Sequence, residues 1–192
     1  KGSVHVATEN IAPILIDNAV DPHAWNSLQN GIIYVTNIAE VLKQKMPEHA
    51  EAISKNTASY VEKLKALDVE TKASLAELAP DERTVVTAHD AFGYLADAYG
   101  MNFLAPVGID SEAEPSAKSL AKLIAQIKAD GAAALFVENI TSPALVQQIS
   151  DETGLEIGGR LFSDALSERG GPATSYLAML KHNLGTLIAA LN

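Results

Sequence analysis

The stretch RTVVTAHDAFGYLADAYGMNFLAPVG, residues 83–108, decides the fold of this chain. Its first part, 83–89, is rich in β-branched residues and predicts a strand. Residues 90–100 predict a helix that ends at Gly100, and residues 102–108 predict a second strand. Because strands that alternate with helices at this spacing form parallel sheets, the stretch predicts an α/β architecture with helices on both faces of the sheet.

The same alternation continues to the end of the chain. Ligands of such parallel sheets bind at the carboxyl ends of the strands. His89, Glu138 and Asp164 all lie at or near predicted strand ends, so this edge of the sheet is the predicted place for a site. The remaining predicted elements are a helix over 115–131, a strand over 133–139, a helix over 142–154, a strand over 155–164 and a helix over 174–192.

A long helix precedes the sheet region and is predicted over residues 47–79. Apolar residues recur along one face of it, while lysines and glutamates fill the opposite face. The apolar positions do not keep a strict heptad, which favours a strut between two lobes over a coiled-coil arm. Upstream, the sequence predicts a short strand over 3–7, a loop or edge segment over 11–16, and a helix that is capped by Asn26 or Ser27.

The composition excludes several classes of protein. With 24 acidic and 14 basic side chains among 192 residues, the formal net charge is −10. This charge argues against nucleic-acid binding, which depends on lysine and arginine, and it suits a cationic solute. The absence of cysteine excludes a zinc finger and a thiol enzyme.

No apolar run approaches the roughly 20 residues of a membrane span. No signal peptide is visible, so an exported form is expected to carry its targeting segment upstream.

His23 and His89 are candidate metal ligands. His89 ends a predicted strand, where a neutral imidazole can bind a metal through one ring nitrogen while the other donates a hydrogen bond to a neighbouring group. His23 lies in DPHAW (21–25), in which proline restricts the backbone and tryptophan is expected to pack beside the imidazole. The alternatives are a capping or core histidine at position 89 and a solvent-facing loop histidine at position 23.

Two carboxylates complete the set of candidates. Asp164 follows the last predicted strand, where it could bind a metal, cap the next turn or pair with Arg169. Glu138 lies in an apolar strand, and a buried carboxylate must be paired or bound. It is either a ligand or the acceptor for the ring proton of a histidine, and the second role is favoured. The other histidines are expected to be structural or solvated: His5, His49 and His182.

The motifs of common enzymes are absent from the sequence. It contains no HExxH pair, GxSxG elbow, P-loop or GxGxxG turn. The glycine pairs in GGRLFSD and RGGP are expected to shape turns. We therefore predict that the chain is not an enzyme. The open alternative is a metal-dependent hydrolase, for which Glu138 is the only candidate base.

Several segments together resemble one family. In order, they are DPHAW followed by a helix, SLAELAP at the end of the long helix, VVTAHDAFGYLADAYG, EAEPSAKSLAKLI, LFVEN, LFSDALSERG and YLAMLKHNL. Over essentially its whole length, the chain is similar to the second half of a zinc/manganese solute-binding protein of an ATP-binding-cassette importer. The order and context of these motifs carry the resemblance more than DPHAW alone.

The resemblance implies a fold of two α/β lobes joined by one rigid helix, with a metal ion bound between the lobes. On this basis residues 1–46 are a remnant of the N-terminal lobe. Residues 47–79 are the linking helix, and residues 80–192 are the C-terminal lobe with its parallel sheet. The chain is then an N-terminally truncated form, and one further ligand histidine belongs to the part of the N-terminal lobe that is missing.

The resemblance also implies what the protein binds and where it works. The cargo is Zn²⁺ or Mn²⁺, held by His23, His89 and Asp164, and the partner is the permease subunit of an importer rather than nucleic acid. The expected location is the periplasm, or the outer face of the membrane with attachment to it. A partial lobe is expected to associate with the missing N-terminal segment or with another copy. A surface adhesin is the remaining alternative.

Overall fold

The computed structural model describes residues 2–16, 18–110 and 115–192. The side chain of Ser27 accepts a hydrogen bond from the backbone N–H of Asn30, so its predicted role as a helix cap is confirmed. The N-terminal part contains a short antiparallel pair and two long helices that pack on each other: β1 (Leu15–Ile16), β2 (Ala19–Val20), α1 (Leu28–Lys45) and α2 (Ala50–Ala76).

The C-terminal part alternates strands and helices, as the sequence predicts. Its elements are β3 (Thr84–Val86), α3 (Gly93–Tyr99), β4 (Asn102–Leu104), α4 (Ala117–Asp130), β5 (Ala134–Glu138), α5 (Pro143–Thr153), β6 (Ile157–Leu161) and α6 (Tyr176–Leu191). The four strands form one parallel sheet in the order β4–β3–β5–β6. The predicted α/β fold with a parallel sheet is confirmed.

Both faces of this sheet are covered by helices. Side chains alternate between the two faces along a strand. Val85 and Phe136 enter a core that they share with α2, α3 and α6, whereas Val86 and Leu135 enter a second core with α4 and α5. Since β3, β5 and β6 are parallel neighbours, their carboxyl ends lie side by side at one edge.

The long helix α2 has 27 residues and extends for about 40 Å. It is shorter than the predicted helix over 47–79, because Pro47–His49 forms a separate 3₁₀ turn. Its role as a strut and the division of the chain into lobes stay predictions. Despite the length of α2, no helix in the described ranges has an apolar stretch that could cross a bilayer. The buried residues of α2 lie in the C-terminal half of this helix: Leu64, Leu67, Thr71 and Leu75.

The strand predicted over 3–7 is wrong. Residues 2–6 have no regular structure. Val4 and Val6 are 96% and 67% exposed, so their side chains face solvent rather than a core. The alternating pattern favours an extended chain, but no strand among the residues that the structure describes lies beside it to accept its backbone hydrogen bonds, and a strand needs such a partner.

The sheet strands are also shorter than predicted. The strand predicted over 83–89 is regular only to Val86, although the backbone N–H groups of Thr87 and Asp90 still bond the carbonyls of Leu104 and Val107. Between these two bonds, the backbone N–H groups of Ala88 and His89 bond the carboxylate of Glu138. The strand predicted over 155–164 likewise ends at Leu161. The residues that follow these strands form the loops on which the candidate site is built.

Candidate metal centre

Three side chains meet at the carboxyl edge of the sheet. His89 follows β3, Asp164 follows β6, and His23 directly precedes a 3₁₀ turn at Ala24–Asn26. Each offers a nitrogen or oxygen atom, and these atoms all lie within 4.8 Å of one another. The structure thus brings together the three residues that the sequence singled out. Their binding of a metal ion stays a prediction.

Ring nitrogens of the two histidines face the carboxylate of Asp164. His23 Nε2 lies 3.4 Å from Asp164 Oδ1, and His89 Nε2 lies 3.2 Å from Asp164 Oδ2. The two imidazole rings stand edge to face, with their centroids 5.3 Å apart. Both histidines are buried, whereas 22% of the Asp164 side chain remains exposed. The cluster is therefore enclosed at the histidines and reaches solvent at the aspartate.

Glu138, at the end of β5, contacts His89 from the side opposite Asp164. Its Oε1 atom accepts hydrogen bonds from the backbone N–H groups of Ala88 and His89, each 2.9 Å long. Its Oε2 atom lies 2.7 Å from His89 Nδ1. An ionised carboxylate only accepts hydrogen bonds, so this contact keeps a proton on Nδ1 and makes Nε2, which faces Asp164, the nitrogen that can bind a metal once it has lost its own proton. This is the geometry that the role predicted for Glu138 requires.

Asp21 makes the equivalent contact with His23, and sequence reasoning missed it. Its buried Oδ1 atom accepts a 2.9 Å hydrogen bond from the backbone N–H of His23 and lies 2.7 Å from His23 Nδ1. Its other oxygen leaves no room for a side chain at Gly93, where a Cβ would stand 2.8 Å from Oδ2. The available signal was the spacing in DPHAW, since a carboxylate two residues before a histidine can fold back onto the imidazole.

The loop that carries Asp164 is held on both sides by Asn139. The side-chain oxygen of Asn139 accepts a 3.3 Å hydrogen bond from the backbone N–H of Ser163. Its amide nitrogen donates a 3.1 Å hydrogen bond to the carbonyl of Ala165. Asn139 directly follows Glu138, so one short segment after β5 contacts both the His89 and the Asp164 parts of the cluster.

The carboxylates shift the pKa values within the cluster. Burial lowers the pKa of His89, but the contacts with Asp164 and Glu138 outweigh burial and raise this pKa to about 9. Burial raises the pKa of Asp164, but the contact with His89 and the nearby His23 outweigh burial and bring this pKa below its usual value. At neutral pH the metal-free cluster therefore pairs an ionised Asp164 with a protonated His89.

Comparison with known families shows where the chain belongs. The model of a family described as zinc-uptake complex component A, periplasmic, matches residues 1–190. The chain belongs to this family. The resemblance seen in the sequence motifs is thereby confirmed.

Curated relatives of the family are metal-transport proteins by name. The chain is 36% identical over 171 residues to the iron ABC transporter substrate-binding lipoprotein MtsA of Streptococcus pyogenes, which covers 89% of this chain and 55% of MtsA. It is 33% identical over 172 residues to the manganese ABC transporter substrate-binding lipoprotein PsaA of Streptococcus pneumoniae, which covers 90% of this chain and 56% of PsaA. The chain spans little more than half the length of these relatives.

Solved structures of similar proteins have the same fold. The Mn-bound periplasmic metal binding protein of Candidatus Liberibacter asiaticus superposes with a TM-score of 0.91 at 30% identity, over 99% of this chain and 71% of that protein. The periplasmic zinc binding protein TroA of Treponema pallidum superposes with a TM-score of 0.90 at 30% identity, over 96% of this chain and 70% of TroA. Both likenesses agree with the predicted architecture.

Proposed function

We propose that the chain binds a divalent transition-metal ion outside the cytoplasm for delivery to the permease of an ATP-binding-cassette importer. The observation that carries the proposal is the convergence of His23, His89 and Asp164 within 4.8 Å. The names of the relatives support it, since MtsA and PsaA are substrate-binding lipoproteins of ABC transporters and TroA is a periplasmic zinc binding protein. The same names support a periplasmic or membrane-attached location.

In this proposal the metal ion is the transported substrate. His23 and His89 bind it through Nε2 and Asp164 binds it through its carboxylate, while Asp21 and Glu138 orient the two rings. Imidazole nitrogens suit zinc, and carboxylate oxygens suit manganese as well. At a site of given nitrogen and oxygen ligands Zn²⁺ binds more tightly than Mn²⁺. We therefore expect the chain to bind both ions and to prefer zinc.

The chain is proposed to bind its metal without catalysis. A metal-dependent hydrolase needs a base beside the metal, and Glu138 is the only candidate that the sequence offers. Both of its carboxylate oxygens are engaged, one by two backbone N–H groups and the other by His89 Nδ1. This engagement supports transport over hydrolysis, as does the transport role of the family members. No feature of the described ranges favours an adhesin.

Isothermal titration calorimetry of the chain with ZnCl₂ and with MnCl₂ tests the proposal. We expect saturable binding of one ion per chain, tighter for zinc, and no metal-dependent turnover of a generic ester or phosphate. If neither ion shows saturable binding, the metal-binding proposal fails. Turnover that disappears when the metal is chelated would favour the hydrolase instead.

The association with a further protein segment or another copy also stays a prediction. Its support is a set of exposed apolar side chains in the N-terminal part, since large exposed apolar surfaces are typical of interfaces. Light scattering measures it: we expect a particle mass above the 20.3 kDa of one chain, and a stable monomer would contradict this. The exposed residues are Val4, Val6, Leu15, Val20, Ile38 and Leu42.

Glu138→Gln is expected to weaken zinc binding about 10- to 100-fold. The amide keeps the size of the carboxylate, but its oxygen is required by the backbone N–H groups of Ala88 and His89. Its NH₂ group then faces His89 Nδ1 and, as a donor, moves the ring proton to Nε2, the nitrogen that is proposed to bind the metal. Zinc titration of the variant measures the loss.

Glu156→Gln is the matched control for this variant. Glu156 is exposed and directly precedes β6, so its substitution removes the same charge without touching the cluster. We expect it to bind zinc as the unmodified chain does. Equal zinc affinities of the two variants would show that Glu138 does not orient His89.

Zinc affinity is expected to rise with pH up to about 9. The raised pKa of His89, about 9, keeps this ring protonated in the metal-free chain at neutral pH, and the ion must displace that proton. Below this pKa, competition by one proton lowers the apparent affinity about tenfold for each pH unit. Titrations over a series of buffers from acidic to alkaline pH check the slope. An affinity that does not change with pH would contradict a bound proton on His89.

A further inference from the structure

The C-terminal helix α6 contacts the segments that carry His23 and Asp164. At its first residue, the hydroxyl of Tyr176 donates a 2.7 Å hydrogen bond to the carbonyl of Trp25, two residues after His23. Two turns further on, the amide side chain of Asn183 forms two hydrogen bonds with the backbone of Phe162, two residues before Asp164. These bonds are 2.9 Å and 2.7 Å long, and Asn183 is fully buried.

The two attachment points are seven residues apart on one helix, which corresponds to about 10 Å along its axis. An α-helix of this length is stiff, because every turn is fixed by backbone hydrogen bonds. The start of α6 is fixed as well, since the side chain of Ser175 accepts a hydrogen bond from the backbone N–H of Ala178. The helix therefore sets the separation between the His23 turn and the Asp164 loop.

A direct contact joins the same two segments. The indole Nε1–H of Trp25 donates a 2.8 Å hydrogen bond to the carbonyl of Ser163, the residue before Asp164. The indole ring also stands edge to face with the His23 imidazole, with ring centroids 5.4 Å apart. The backbone carbonyl of Trp25 thus accepts a hydrogen bond from Tyr176, while its side chain donates one to the Asp164 loop. Trp25 therefore links the start of α6 to that loop.

Gly31 on α1 leaves the space that the side chain of Tyr176 occupies. A Cβ at position 31 would overlap the Tyr176 hydroxyl and would stand 2.9 Å and 3.0 Å from two of its ring carbons. Glycine is less favourable than alanine within a helix. Its place in the first turns of α1 is explained by the close approach of the tyrosine ring, which lets the hydroxyl reach the carbonyl of Trp25.

We propose that Tyr176 is a positioning residue for the metal centre. Its hydroxyl holds the His23 turn in the metal-free chain, so that the His23 imidazole already faces Asp164 before an ion arrives. A site that is ordered in advance binds more tightly, because binding does not have to restrict a mobile segment. The proposal rests on the function proposed above, since it concerns the same three ligands.

Tyr176→Phe tests this role, because it keeps the ring and removes only the hydroxyl. We expect zinc affinity to fall about fivefold, the equivalent of one net hydrogen bond. We also expect faster hydrogen exchange of the Trp25 indole N–H, followed by NMR in the absence of metal. The chain has one tryptophan, so this N–H gives a single indole signal. Gly31→Ala, which displaces the same hydroxyl from the other side, should change both readouts in the same direction.

Tyr99→Phe is the matched control. The Tyr99 hydroxyl donates a 2.8 Å hydrogen bond to Asp68 on α2, and its removal should leave zinc affinity and indole exchange unchanged. If the unmodified chain binds zinc and Tyr176→Phe leaves either readout unchanged, the positioning role is overturned. If the unmodified chain does not bind zinc, the proposed function fails, and the indole exchange still decides whether Tyr176 fixes the turn.

Discussion

His89→Ala is expected to lower the zinc affinity of the chain by more than about 100-fold. The substitution removes one of three proposed ligands, and even the loss of a group that only orients a ligating histidine lowers metal affinity about 10- to 100-fold. The remaining cluster of His23 and Asp164 then offers one imidazole and one carboxylate. Competition with a chromophoric zinc chelator measures the difference, because it covers a wide range of affinities.

Two further variants complete this experiment. His49→Ala is the control, since its imidazole is 64% exposed and should leave zinc affinity unchanged. His89 is buried, so its removal also weakens the fold, and Asp164→Asn provides a second test at a position that reaches solvent. The amide keeps the shape of the side chain and removes the negative charge. If both His89→Ala and Asp164→Asn bind zinc as tightly as the unmodified chain, the ligands have been assigned wrongly.

Phe136→Ala is expected to reduce the free energy of unfolding by about 3–5 kcal/mol. The ring is fully buried on β5, an inner strand of the sheet. It packs against the backbone of β6 at Gly158, where a Cβ would stand 3.1 Å from the ring. Its removal leaves a cavity that the close-packed surroundings fill only in part. Urea unfolding followed by circular dichroism measures the loss as a lower midpoint at an unchanged slope.

Val69→Ala is the matched control for the core substitution. Val69 lies on α2 and is 67% exposed, so we expect a change within about 0.5 kcal/mol. Comparing the two variants shows whether the loss of stability comes from removing a buried side chain or from removing any apolar side chain. A decrease below about 1 kcal/mol for Phe136→Ala would mean that the ring does not pack as the structure places it.

The elements of the C-terminal part could be predicted because single residues mark their limits. Gly100 ends α3 with a left-handed backbone, and Gly154 does the same for α5, whose first turn begins with the capping Ser142. The prediction of a strand over 3–7 failed because β-propensity is a property of a single segment, whereas a strand requires a second strand that pairs with it. Nothing in the local pattern shows whether that neighbour exists.

The candidate site could be predicted only in part. His89, Glu138 and Asp164 follow strands of one parallel sheet, and the rule for such sheets brings them to a common edge. His23 lies in a turn outside the sheet, so DPHAW marked it as a candidate ligand, while the family resemblance assigned it to the same site as the others. Asp21 was missed because the motif that contains it does not reveal which polar group is buried. The contact of Asp21 with His23 depends on the conformation of the turn, which cannot be derived from the spacing of apolar residues in the sequence.

The distribution of charge around the two imidazoles has a consequence for the choice of ion. Asp21, Glu138 and Asp164 contact His23 and His89, so with neutral rings these five side chains carry three negative charges. A monovalent cation leaves two of these charges without compensation, whereas a divalent cation leaves one. Since repulsion among largely buried like charges is strong, we expect the proposed site to discriminate by valence before it discriminates by element.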